Sequence, residues 1–163
     1  KRKMDLATAL QNINWLSVLI AALSSFLIGG LWYGPLFGRA WMEAFGYTEE
    51  DLKKRSAPKT FGLSLLLAFF AAFILAMFIG PEAHAIYGLK AGLFAGIGWV
   101  ATFIGILYLF EMQSLKVYLI NAGYCVLSLS IMGLILGPLI LAYLLIILEL
   151  YRGKKSPGIF IRY

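Results

Sequence analysis

Charge is what this sequence has least of. Only 13% of its 163 residues are Asp, Glu, Lys or Arg, whereas 61% are hydrophobic. Water-soluble domains carry roughly 25% charged and about 45–50% apolar residues, and a chain this short has too little interior to hide the surplus. A soluble domain is excluded, and lipid is the natural solvent. There is one cysteine, Cys125, so no internal disulfide can form; inside an apolar span it reads as a small packed side chain. There is one histidine, His84, which excludes bis-histidine haem and a multi-histidine metal centre. Beside Glu82 it offers one axial or pH-sensing group at most, and a solvated turn residue is the plainer reading. No Ser-His-Asp set, phosphate loop, zinc spacing or dinucleotide glycine pattern occurs. The expectation is therefore a protein that is not an enzyme and holds no cofactor or metal.

The net charge of +6 does not point to nucleic acid. The basic residues sit at the chain ends and in one loop rather than along a groove-sized face. Flanking apolar spans, they read as membrane anchors and topology signals. Lys1-Arg2-Lys3 ahead of an apolar run resembles a signal peptide, but the run from Trp15 to Tyr33 is long and no small-x-small cleavage site closes it. It reads as a retained first helix.

Four apolar spans stand out, near 13–34, 61–80, 86–110 and 116–137. About 20 helical residues cross a 30 Å hydrocarbon core, and helices satisfy their backbone groups in lipid without partners. The expected fold is all-α: an integral membrane protein, a four-helix transmembrane bundle in one domain spanning 1–163. The connection 35–60 reads as an amphipathic cuff at the interface. Gly34-Pro35 ends the first helix; Arg39 to Phe45 forms a short helix with Trp41, Met42 and Phe45 toward lipid and Arg39 and Glu43 toward water. Gly46 closes it, Thr48 and Asp51 cap a second short helix, and that helix stops before Pro58. The other connections, Pro81 to Ala85 and Glu111 to Leu115, are tight and force antiparallel neighbours. Glu111 and Lys116 are expected to pair. A C-terminal helical extension, 138–163, follows the Gly137-Pro138 break, with 139–151 too short to span again.

Small residues recur four apart in every span, and residues four apart share a helix face. Ala21, Ser25 and Gly29 do so in the first, Ala68, Ala72 and Ala76 in the second, Gly88, Gly92 and Gly96 in the third, and Gly133 and Gly137 in the fourth. Small side chains let backbones approach, which is the main packing energy between helices in lipid. Intramolecular packing is the simpler reading; an oligomer seam on the Gly88–Gly96 face is the sharper one. Among polar residues inside spans, the default functional suspects, Asn121 stands out, with Asn14 at the head of the first helix as a cap or a second polar group. Gly30-Leu-Trp-Tyr-Gly-Pro-Leu echoes Gly133-Leu-Ile-Leu-Gly-Pro-Leu, a hint of an inverted repeat that low complexity explains equally well.

Asn14-Trp15-Leu16, Gly30-Leu-Trp-Tyr-Gly-Pro-Leu-Phe-Gly38, Arg39-Ala-Trp41-Met42, and Ile120-Asn-Ala-Gly-Tyr124 leading to Met132-Gly133 together resemble the bacterial and fungal membrane family called domain of unknown function 1761, over roughly 13–137. The resemblance implies a four-helix membrane protein without an assigned activity and supplies no catalytic residues. Its members end soon after the fourth helix, so 138–163 is expected to be an added docking segment.

The leading functional expectation is an accessory or structural subunit that packs within a larger membrane complex, with lipid and other membrane subunits or further copies of itself as partners and no nucleic acid. The alternative is a small-solute or ion transporter acting as an oligomer, with Asn121 and Asn14 lining one polar spot. The bacterial inner membrane is the expected location. Eight basic residues against six on the two sides favour cytoplasmic termini.

Overall fold

The computed structural model describes residues 10–80 and 83–137. These residues form an all-α membrane bundle. Its spanning helices are α1 (Trp15–Leu36), α4 (Ala57–Ile79), α5 (Ala85–Phe110) and α6 (Leu115–Leu136), with 22, 23, 26 and 22 residues. At about 1.5 Å per residue each exceeds a 30 Å hydrocarbon core. Two short helices, α2 (Gly38–Phe45) and α3 (Glu49–Lys53), build the cuff between α1 and α4. The expected extension 138–163, with four of the eight basic residues counted on the side of the termini, lies outside the described residues.

Local signals place the helix ends. Asn14 caps α1, its side chain accepting the Ser17 N–H at 3.1 Å. Ser114 does the same for α6 through the Val117 N–H at 3.3 Å. Gly46 ends α2 in the left-handed region, at φ 69°, where glycine has no Cβ to clash. Thr48 and Asp51 form a reciprocal capping box on α3. Lys54 first, and Thr48 after it, hold the Asp51 carboxyl down at about 2. The folded pKa lies below the ordinary 3.8, so this tie is complete above that value and is lost as pH falls through about 2.

Two boundaries and one ion pair differ from the sequence reading. Gly34 does leave the helical region, at φ −98° and ψ −105°, as expected for a residue pressed by the following Pro35. The chain nevertheless continues in a wide π-type turn to Leu36, closed by the Phe37 N–H on the Trp32 carbonyl at 2.8 Å. Helix α4 starts at Ala57 rather than 61, with Pro58 inside its first turn. There a missing N–H costs nothing, so this proline opens a helix instead of stopping one. Lys116 pairs across the fold with Glu43 of α2, at 3.3 Å, and not with Glu111. Both ends of that pair are exposed, so Lys116→Ala should cost less than about 1 kcal/mol in a thermal melt.

The tightest packing joins α5 to α6, and it is backbone on backbone. A Cβ on Gly88 would strike the Gly133 carbonyl, one on Gly92 the Leu129 carbonyl, and one on Gly96 would lie 2.9 Å from the Val126 Cα. Farther along, Gly105 faces the Tyr118 ring at 3.2 Å, and Gly137 faces Ala85 at the other end. Numbers fall along α6 as they rise along α5, so the two helices are antiparallel and in contact over their whole length. The Gly88–Gly92–Gly96 face is thus occupied within the chain by α6. A second cluster joins α1, α4 and α6 through Val18, Ala21, Ala22, Ala72, Leu75, Ile79 and Met132, with Ala68 and Ala76 partly buried beside it. Trp15 stacks on Phe73 at 5.6 Å at that end.

Helix α4 leaves this cluster as it approaches the cuff. Its buried residues are Ala72, Leu75 and Ile79, all in its second half, while residues 57–64 are all exposed. The bundle is closed at one end and splayed at the other.

Candidate functional site

The splay leaves a cavity of about 900 Å³ beneath the cuff, within the size of ordinary ligand sites, about 300–1,000 Å³. Three groups of residues surround it. The cuff contributes Arg39, Trp41, Met42, Phe45 and Arg55. Trp41, Met42 and Phe45, expected to face lipid, are half-buried and turned over this cavity instead. The hydrophobic face of α2 has folded back onto the bundle, held by the Trp41 ring against Tyr33 at 5.7 Å and by Glu43 on Lys116.

The second group is polar and comes from the helices. Tyr33 donates its hydroxyl to Asn121 Oδ1 at 2.8 Å, and Asn121 Nδ2 donates to the Tyr108 hydroxyl at 2.7 Å. One asparagine on α6 thereby ties α1 to α5. Tyr124 donates to the Ser25 carbonyl at 3.3 Å. Just behind, Trp32 Nε1 donates to the Ile120 carbonyl at 2.9 Å, its ring lying on Gly123, where a Cβ would come within 3.0 Å. These bonds need the π-type turn of α1, which carries Trp32 and Tyr33 at its start.

The third group is the wall along α1 and α4. Phe26 and Phe61 face each other at 6.4 Å, and Ala57, Thr60 and Ser64 of the exposed α4 segment complete it. Gly30 and Gly34 leave the α1 wall bare: a Cβ on either would meet nothing within 4 Å. Among the described residues, none that lines the cavity is acidic.

Of the two asparagines singled out from sequence as candidate polar residues, Asn121 alone reaches this site. Asn14 is bound as a cap at the opposite end of α1, so the two asparagines do not form one polar spot. His84 precedes α5 without capping it through its side chain, and its expected neighbour Glu82 lies outside the described residues. The echo between Gly30–Pro35 and the start of the second copy at Gly133 has no structural counterpart, because Gly30 borders the cavity while Gly133 is pressed against Gly88. Tyr108 and Arg55 were not singled out from sequence; Tyr124 stood only within a family stretch, and Arg39 was expected simply to face water. Tyr33 was visible only as the end of the first apolar run and a member of the Gly30–Gly38 stretch, because its partner lies 88 residues away.

Ser128 is a useful contrast. Its hydroxyl is the one buried side-chain polar atom without a hydrogen-bond partner among the described residues. An unmet buried hydroxyl costs about 1–3 kcal/mol. Ser128→Ala should therefore leave the melting temperature unchanged or raise it, and a clear drop would show that the hydroxyl has a partner.

The sequence profile of the family described as Protein of unknown function (DUF1761) matches residues 16–137. The chain belongs to this family. No curated protein and no solved structure matches it. The stretches that carried the family resemblance converge on one place: Gly30, Tyr33, Arg39, Trp41, Asn121 and Tyr124 all border the cavity.

Proposed function

We propose that this DUF1761 protein is a non-catalytic accessory protein of the membrane, which holds an amphipathic molecule in the cavity under its cuff. The observation that carries this reading is the cavity's polarity gradient. Cationic and hydrogen-bonding groups lie at the cuff end, and the Phe26–Phe61 wall lies deeper. A concave site, mostly apolar with a few convergent polar groups, is the usual form of a small-molecule site. Among the described residues, no acid, thiol or histidine lines it.

The same geometry supports binding over conduction. Beyond the cavity, α1, α4 and α6 close on Val18, Ala22, Ala72 and Met132, so the cavity is blind. The basic-residue count favours cytoplasmic termini, and on that orientation the cuff lies on the outer face of a bacterial inner membrane. Partner subunits, if this protein serves a complex, would add to this role rather than replace it.

The test is extraction in mild detergent, with mass spectrometry of the proteins and small molecules that travel with the chain, and flux assays in liposomes alongside. About one amphiphile per chain and no solute flux is the expected result. Flux through the purified protein, or a chain that carries nothing, would overturn the reading.

A further inference from the structure

We propose that the cavity selects a phospholipid with an anionic headgroup, seating the phosphate between Arg39 and Arg55 and one acyl chain along Phe26 and Phe61. This rests on the binding role proposed above and names its ligand class.

The argument begins with charge. Arg39 of α2 and Arg55, between α3 and α4, both border the cavity mouth. Neither side chain makes an ion pair or hydrogen bond among the described residues. Of the four acids of the cuff, Glu43 is turned to Lys116 and Asp51 to Lys54, and neither these nor Glu49 and Glu50 of α3 are among the described residues lining the cavity. Two guanidinium groups are therefore available at one mouth, and guanidinium matches phosphate oxygens in a bidentate fork. Ala57, the first residue of α4, lies at the same mouth. The α4 N-terminus has neither a side-chain cap nor an acid in its first turn. Its free amides and helix dipole favour an anion there.

Depth then separates a lipid from a soluble anion. Ser25 and Phe26 lie about two turns of α1 deeper than Tyr33. Phe61 and Ser64 bring the α4 wall down to the same level, on a segment exposed to the bilayer. A free phosphate ester has no use for that apolar wall. A lipid entering sideways between α1 and α4 would place its headgroup at the cuff and its chain on the two phenylalanines, the orientation it already has in the membrane.

The test uses the full chain in detergent. Dimyristoyl phosphatidylglycerol, the phosphatidylcholine with the same chains, and glycerol phosphate are titrated in turn, with binding read by native mass spectrometry. Phosphatidylglycerol should bind at least about tenfold more tightly than phosphatidylcholine, and glycerol phosphate should not compete with it. Each basic residue near an anionic lipid contributes about 1 kcal/mol, or about fivefold in affinity. Arg39→Gln and Arg55→Gln should each lose about that factor at an unchanged melting temperature, since both side chains are exposed. Arg39→Lys should lose less than Arg39→Gln.

Equal binding of the two lipids, with no effect of the Gln variants, would overturn the anionic selection. Competition by glycerol phosphate at matched concentration would make the ligand a soluble phosphate ester and overturn the lipid. The binding role itself is read separately by Gly30→Phe, which projects a ring from a wall where a Cβ meets nothing within 4 Å. Binding that survives Gly30→Phe would overturn both readings; binding that Gly30→Phe abolishes but the arginine variants spare would overturn only the ligand class.

Discussion

Gly133→Val is expected to prevent the bundle from forming. A Cβ at this position meets the Gly88 carbonyl group and comes within 3.3 Å of the Gly92 amide nitrogen. These are backbone atoms of a facing helix, so no rotamer change relieves the clash; α5 and α6 must separate. Overpacking a tight core costs about 1–3 kcal/mol and occasionally more, and here relief would break the contact that runs along both helices. A cost of about 3 kcal/mol or more is expected, a large fraction of the ordinary 5–15 kcal/mol of stability. Gly62→Val is the control, because a Cβ at Gly62 meets nothing within 4 Å. Size-exclusion profiles of the two variants should show aggregated or missing protein for the first and a wild-type peak for the second. A monodisperse, normally melting Gly133→Val protein would contradict the packing described for α5 and α6.

Asn121→Leu should have the second-largest effect, and a different character. Leucine has nearly the same volume but accepts nothing from Tyr33 and donates nothing to Tyr108. Interhelical hydrogen bonds in membranes average about 0.6 kcal/mol, whereas abandoned buried groups cost about 1–3 kcal/mol. Asn121 and Tyr33 are only half-buried, which places the expected loss near the lower figure, about 1–2 kcal/mol in all. The protein should fold with a lowered melting temperature. Tyr33→Phe on the Asn121→Leu background should then cost less than Tyr33→Phe alone, because the bond is already gone. Full additivity of the two changes would show that the bond contributes nothing.

The membrane class and the four spans were legible because they depend on composition and length, which lipid constrains directly. The spacing of Gly88, Gly92 and Gly96 also marked a close-packing face, since only a missing Cβ permits backbone contact. That α6 of the same chain would occupy that face was one of two readings left open by the spacing. The errors arose where one residue has two local meanings. Pro58 is a poor helix interior residue and a good first-turn residue, and only the position of α4 decides between them. Trp41, Met42 and Phe45 form an apolar face whether they meet lipid or protein, so periodicity alone could not show that α2 folds back over Tyr33. Lys116 chose Glu43 over the nearer Glu111 in sequence because the cuff brings α2 beside α6. The cavity was invisible for the same reason: it is made by residues from six helices and a splay of α4, and no short window of sequence contains a splay.

The central claim is that α1, α4 and the cuff enclose a site that holds a molecule, and Gly30 gives the most direct access to it. The measurement is native mass spectrometry of the wild-type protein and Gly30→Phe, extracted side by side from the same membranes. The account predicts a wild-type mass carrying one bound amphiphile, and a variant that melts normally and is bare. The same bound mass on both proteins, or bare wild-type protein under conditions that preserve its fold, would contradict it.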